Sequence, residues 1–174
     1  MVLPVTIHGL TIRRDVGNML IDPLLTFDQN PAPRTHRNMR INPFLNFDGR
    51  CEAAIRFYEE ALGARVLFKM TWGESPMAAE VPAEARELIM HSTLAVGDGR
   101  IMCADALPGR YERPAGVSVS LHVKDAGEGE RIFRALSENG EVTLPYGQTF
   151  WSCGFGMCVD RFGIPWIVNC EQEP

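Results

Sequence analysis

Two stretches of this chain repeat one plan. The first runs Asp48-Gly-Arg-Cys-Glu-Ala-Ala-Ile-Arg-Phe-Tyr-Glu-Glu-Ala-Leu-Gly63. The second runs Asp125-Ala-Gly-Glu-Gly-Glu-Arg-Ile-Phe-Arg-Ala-Leu-Ser-Glu-Asn-Gly140, and the interval from aspartate to glycine is the same in both. Each follows an alternating apolar run and precedes strand-like segments. An internal repeat constrains the fold more than any single motif. Two strand–helix–strands units of this size tend to share one sheet and enclose one pocket.

The chain divides by composition. Residues 1–38 hold Pro4, Pro23, Pro31 and Pro33 and lack an amphipathic period. They read as an irregular extension, with 28–37 a linker and 16–21 a weak edge strand. Residues 39–174 form the domain, with module one at 40–107 and module two at 117–172. In module one, 41–47 alternates as a strand and Asp48 is placed to cap the following helix. Ala54, Phe57, Tyr58, Ala61 and Leu62 give that helix an apolar stripe, and Gly63 stops it. Strands follow over 65–72, 88–96 and 100–106. The last two form a hairpin about Asp98-Gly99, and 73–87 is a loop. In module two, 117–123 is a strand. Asp125 and Glu128 resemble a capping box, Gly140 ends the helix, and strands cover 141–145, 150–160 and 164–170. The order βαβββ, taken twice, is α+β.

Charge and cysteine usage narrow the function classes. A net charge of −5 gives no basic footprint for nucleic acid. No apolar run is long enough for a membrane span. The start lacks a secretory signal pattern, so the cytoplasm is the expected location. The five cysteines, Cys51, Cys103, Cys153, Cys158 and Cys170, form no C-x-x-C pair and read as reduced, mostly buried thiols.

Several separated motifs resemble the vicinal oxygen chelate superfamily, which holds glyoxalase I, extradiol dioxygenases and bleomycin-binding proteins. They are Phe57-Tyr-x-x-x-Leu-Gly63 and Asp160-Arg-Phe-Gly-Ile-Pro-Trp166. Pro43-Phe-Leu-Asn-Phe-Asp-Gly49, Met90-His-Ser-Thr-Leu94, Met102-Cys-Ala-Asp105 and Thr149-Phe-Trp-Ser-Cys-Gly-Phe-Gly156 are similar to its PhnB-like subgroup. Members of that subgroup are often labelled 3-demethylubiquinone-9 3-methyltransferase-like. The resemblance implies a cup-shaped, eight-stranded mixed sheet and a homodimer. Its metal-ligand positions map onto Asn42, Ser118, a residue near Cys103, and Ile167. That set departs from the His and Glu ligands of the superfamily, and a hydrocarbon cannot ligate. No cofactor is therefore expected, with a divalent metal on atypical ligands (His91, His122, Glu80 or Glu171) as the alternative. A methyl-donor turn is not visible either, since Phe47 is followed by a single glycine before the helix.

The expected ligand is a small, partly apolar molecule bound in the cup; the residues leave open whether it is turned over, by a lyase- or isomerase-type enzyme without the usual metal site or by a metal-dependent glyoxalase or dioxygenase with atypical ligands. A non-catalytic sequestering protein of the bleomycin-binding type is the alternative. For an enzyme, His91 is the expected base and Asp105 the carboxylate that orients it. Asn42, Phe44, Cys103, Ser118, Ser120, His122, Trp151 and Asn169 are the expected substrate contacts. Aromatic walls with a few convergent polar groups are what such a pocket requires.

Overall fold

The computed structural model describes Val5–Ile7, Leu10–Ile12 and residues 39–171. Val5–Ile7 (β1) pairs antiparallel with Leu10–Ile12 (β2). This short hairpin lies inside the extension that composition predicts to be irregular. The strand expected over 16–21 falls outside the described residues. The chain separates into two compact units between Met39 and Arg40, and everything below concerns the second.

Module one contains β3 (Phe44–Phe47), α1 (Cys51–Leu62), β4 (Arg65–Thr71), β5 (Ile89–Val96) and β6 (Gly99–Asp105). Module two contains β7 (Val119–Val123), α2 (Ala126–Ser137), β8 (Glu141–Gly147), β9 (Gly154–Val159) and β10 (Pro165–Cys170). The sheet orders are β3-β6-β5-β4 and β7-β10-β9-β8. In each, the first strand runs parallel to the last and the other pairings are antiparallel. The α+β class and the doubled βαβββ order agree with the sequence. The expected single eight-stranded sheet is instead two four-stranded sheets that share no ladder.

Local chemistry explains where the boundaries moved. Asp48 does not cap α1. Its carboxylate is held by Arg50 Nε at 2.7 Å, which keeps its pKa below the usual carboxylate range. Asp105 does the work from β6: Oδ1 accepts the Cys51 amide at 2.9 Å and Oδ2 the Ile89 amide at 3.0 Å. A carboxylate at a helix N-terminus satisfies free amides and the helix dipole together, whichever strand supplies it. In α2 the expected cap does form, with Asp125 Oδ1 accepting the Glu128 amide at 2.7 Å. The helix ends at Ser137, and Asn139, not Gly140, takes the left-handed conformation, with φ of 56°. Gly140 is required for another reason: a Cβ there would overlap the Val159 carbonyl oxygen. The β5–β6 hairpin turns at Gly97-Asp98, one residue earlier than expected, with Gly97 at φ 52°.

Both helices pack on one face of the sheets and form a common core. Tyr58 of α1 meets Trp166 of β10 edge-on, with ring centroids 5.5 Å apart, and Phe57 and Phe47 flank Phe162. Asp160, 3% exposed, is the joint. Its Oδ1 accepts the amides of Phe162 and Ile164 and its Oδ2 accepts Tyr58 Oη and Trp166 Nε1. The Asp160–Trp166 motif is therefore one turn that closes around its own carboxylate and grips the other module's helix. A carboxylate this deep is tolerated only because each oxygen is fully partnered. Among the described residues no helix is long and apolar enough to cross a membrane.

Candidate functional site

Strand residues two apart share a face. In β3, Leu45 and Phe47 are buried toward the helices, and Phe44 and Asn46 face the other way. Pairing extends these rows across each sheet. In module one the open face carries Phe44, Met102, Thr93 and Phe68 in one row, with Asn46 beside Ala104 and Met70 beside His91. In module two it carries Ser120, Ile167 and Met157, then His122, Asn169 and Phe155. Among the described residues no helix covers these faces, and apart from the buried Ala104 the side chains named are half-buried or exposed.

The two histidines of these faces differ in surroundings. His91 lies between Phe44 and Phe68, at ring-centroid distances of 5.8 and 6.1 Å. Its Nε2 is 3.3 Å from Thr93 Oγ1. His122 has both ring nitrogens engaged: Ser120 Oγ donates to Nε2 at 3.1 Å, and Nδ1 donates to Glu171 Oε1 at 3.0 Å. Asn169 Nδ2 lies 3.5 Å from the same Nδ1. Asn169 Oδ1 is buried without a donor.

The remaining expected site residues divide. Asn42 and Ser120 border a cavity of about 630 Å³ between the modules, with Arg40, Asp98 and Arg100 in its wall. Ser118 is exposed just before β7. Trp151 is half-exposed and stacks edge-on between Phe150 and Phe155. The pairing of Asp105 with His91 does not form, because both Asp105 oxygens are taken by the amides of Cys51 and Ile89. Burial raises the Asp105 pKa, and those amides pull it back. Cys103 is not a pocket residue: it is fully buried on the helix side beside Cys51, and its neighbour Met102 takes the open face. The Cys51 thiol sits far above its usual range, first through its hydrogen bond to Cys103 and then through burial.

Two features escaped the sequence. Glu171 was placed only among atypical metal ligands, although it lies two residues beyond Asn169 and so inherits its face. Cys153 and Cys170 form a disulfide, with Cα atoms 5.5 Å apart, which corrects the expectation of reduced thiols throughout. Their separation in sequence hides the fact that β9 and β10 bring Gly154 opposite Cys170. Cys51, Cys103 and Cys158 are free and buried. Burial pushes Cys158 up to about 11.

The donors present do not fit the superfamily's metal. Among the described residues no group of three or more His, Cys, Asp or Glu side chains converges. Of the mapped positions, Ile167 is a hydrocarbon and Cys103 is in the core. Nor does α1 offer its first amides to a methyl donor, since Asp105 occupies that end.

Paired βαβββ modules with helices on one side and open strands on the other have the fold of glyoxalase/bleomycin resistance/dioxygenase domains. A domain of that description from Frankia sp. EAN1pec superposes with a TM-score of 0.56 at 13% identity, covering 77% of this chain and 98% of that one. Residues 39–169 match the family described as 3-demethylubiquinone-9 3-methyltransferase, and the chain belongs to that PhnB-like family. It is 34% identical over 145 residues to Protein YjdN of Escherichia coli (strain K12), spanning 78% of this chain and 99% of that protein. The crystal structure of PA1353 from Pseudomonas aeruginosa shares 43% identity and a TM-score of 0.71, with 78% of this chain and 99% of that one covered.

Proposed function

We propose that the chain binds a small, partly apolar molecule on the open faces of its two sheets, which together form a cup. The observation that carries this reading is Asn169 Oδ1, a buried acceptor with no protein donor. An unmet buried acceptor costs about 1–3 kcal/mol, and a ligand N–H or O–H would remove that cost. Phe155 pairs directly with Asn169, and His91 sits between two rings on the other sheet. Polar groups on an apolar floor fix a ligand's orientation. The reading covers a turnover enzyme that dispenses with metal and a sequestering protein alike. Binding of 8-anilinonaphthalene-1-sulfonate (ANS), a small planar anion, tests it. Saturable fluorescence that weakens at least about fivefold in Asn169→Ala and Phe44→Ala supports the cup. No binding, or binding indifferent to both, sinks it.

A homodimer belongs to the same proposal. Val66, Leu67 and Phe68 on β4, and Val142 and Leu144 on β8, are exposed on the outermost strands of the two sheets. Free edges with apolar side chains call for cover, and a second copy supplies it symmetrically. Light scattering coupled to size exclusion reports the mass; a monomer at micromolar concentration would remove this part. We also place the chain in the cytoplasm, and fractionation that finds it elsewhere would remove that.

A further inference from the structure

We propose that Ser120, His122 and Glu171 form a nucleophilic relay that cleaves small carboxylic esters; the inference rests on the open-face binding just proposed. The order hydroxyl–imidazole–carboxylate is what activates a serine. Ser120 Oγ donates to Nε2 at 3.1 Å, and Glu171 Oε1 accepts from Nδ1 at 3.0 Å. Glu171 thereby fixes the ring proton on Nδ1 and leaves Nε2 as the base. The strands hold this order rigidly. Ser120 and His122 are neighbours on one face of β7, and Glu171 follows β10, whose Cys170 pairs with Val123. The Glu171 amide also donates to the Val123 carbonyl at 2.9 Å, which locks the carboxylate's backbone to β7.

An exposed histidine with two polar neighbours is ordinarily a solvated surface group. Two observations point beyond that. Ser120 borders the 630 Å³ cavity together with Arg40, Asp98 and Arg100, so the nucleophile lies at the rim of a space large enough for a small ester, with two arginines and one carboxylate in its wall. Pairing with β10 uses the backbone groups of Val119, Leu121 and Val123. The N–H groups of Ser120 and His122 are therefore directed at the opposite edge of β7, where the sheet ends. The Ser120 amide, unused by β10 and on the same residue as the nucleophile, is the donor we assign to a tetrahedral oxyanion. The guanidinium groups select a short acyl ester that carries an anionic group.

The chemistry balances without a co-reactant other than water. Ser120 Oγ attacks the ester carbonyl carbon as its proton passes to His122 Nε2, and the imidazolium rests against Glu171. The carbon–oxygen bond to the alcohol breaks, and the alcohol leaves with the Nε2 proton. Water, deprotonated by Nε2, then attacks the acyl-serine. The acid departs, and the proton returns to Ser120 Oγ. Ser120 and His122 are the catalytic residues, and Glu171 is a positioning residue.

The test uses the full chain with p-nitrophenyl acetate and a fluorophosphonate probe, alongside ANS binding. The expected result is phosphonylation of the peptide containing Ser120 and ester hydrolysis that falls to the buffer rate in Ser120→Ala. His122→Ala should lose about 100-fold or more, the usual worth of a general base. Glu171→Gln should lower kcat about tenfold or more with KM little changed, and Glu171→Asp should restore part of it, which mere structural support would not do. The side chains are exposed, so melting temperatures should hold. Ser120 left unlabelled, or hydrolysis equal in Ser120→Ala and wild type, would overturn the relay. If ANS still binds in that case, the binding face survives without the relay. If Ser120 is labelled and ANS does not bind, the relay survives and the apolar face is what fails.

Discussion

The helix-facing sides of the two modules share one device, used at different places, and their open sides do not. On the helix side each module buries an aspartate whose oxygens are consumed by protein donors: Asp105 at the start of α1, Asp160 between α1 and the β9–β10 turn. On the open side, module one offers His91 between aromatic rings, and module two offers His122 in a line of polar side chains. Aspartates that look catalytic by position are structural.

The largest expected effect falls at Asp160. Asp160→Ala strands the Tyr58 hydroxyl, the Trp166 indole N–H and two amides in the core, and should destabilise by roughly 3–5 kcal/mol. His122→Ala, on the open side, should stay within about 0.5 kcal/mol. Urea unfolding of both variants measures the contrast, and equal losses would erase it. Next comes the Cys153–Cys170 link, which closes a short loop with a sequence separation of 17. Its reduction by dithiothreitol should lower stability by about 3 kcal/mol, and no shift in the urea midpoint would show that the link contributes nothing.

A smaller effect should appear at alkaline pH. Burial, and then the Asp160 carboxylate, hold the Tyr58 pKa well above the usual 10.0. Above pH 10 the unfolded chain releases a proton that the folded chain retains. The Tyr58 contribution is thus intact below that pH and is lost as pH rises toward the folded value, with a limiting slope of about 1.4 kcal/mol per unit. Tyr58→Phe should flatten that slope. A variant that still loses stability as steeply would place the titration elsewhere.

How much was legible follows the same division. Element order was readable because apolar spacing records burial, and burial is what the helix side shares. The Asp160 motif was visible as residues, although its role as joint was not, since its partner Tyr58 lies far off in sequence. The expected Asp48 cap failed because a strand from the far end of the module supplies the carboxylate. Alternation could put Ser120 with His122 and Asn169 with Ile167, each pair on one face of its own strand. Glu171 was missed as a partner of His122, and Cys170 as a partner of Cys153, because each pairing depends on the register between strands, which no local spacing records. His91 lies on the open face, and its expected partner Asp105 faces the other way, where its oxygens serve the amides of Cys51 and Ile89.

Amide chemical-shift mapping of the full chain titrated with ANS tests the division of labour between the faces most directly. The account predicts saturable shifts clustered at Phe44, His91, His122, Phe155 and Asn169, with Asp105, Asp160 and Phe162 unmoved. Shifts centred on Asp160 and the α1 side, with the open-face residues silent, would contradict it.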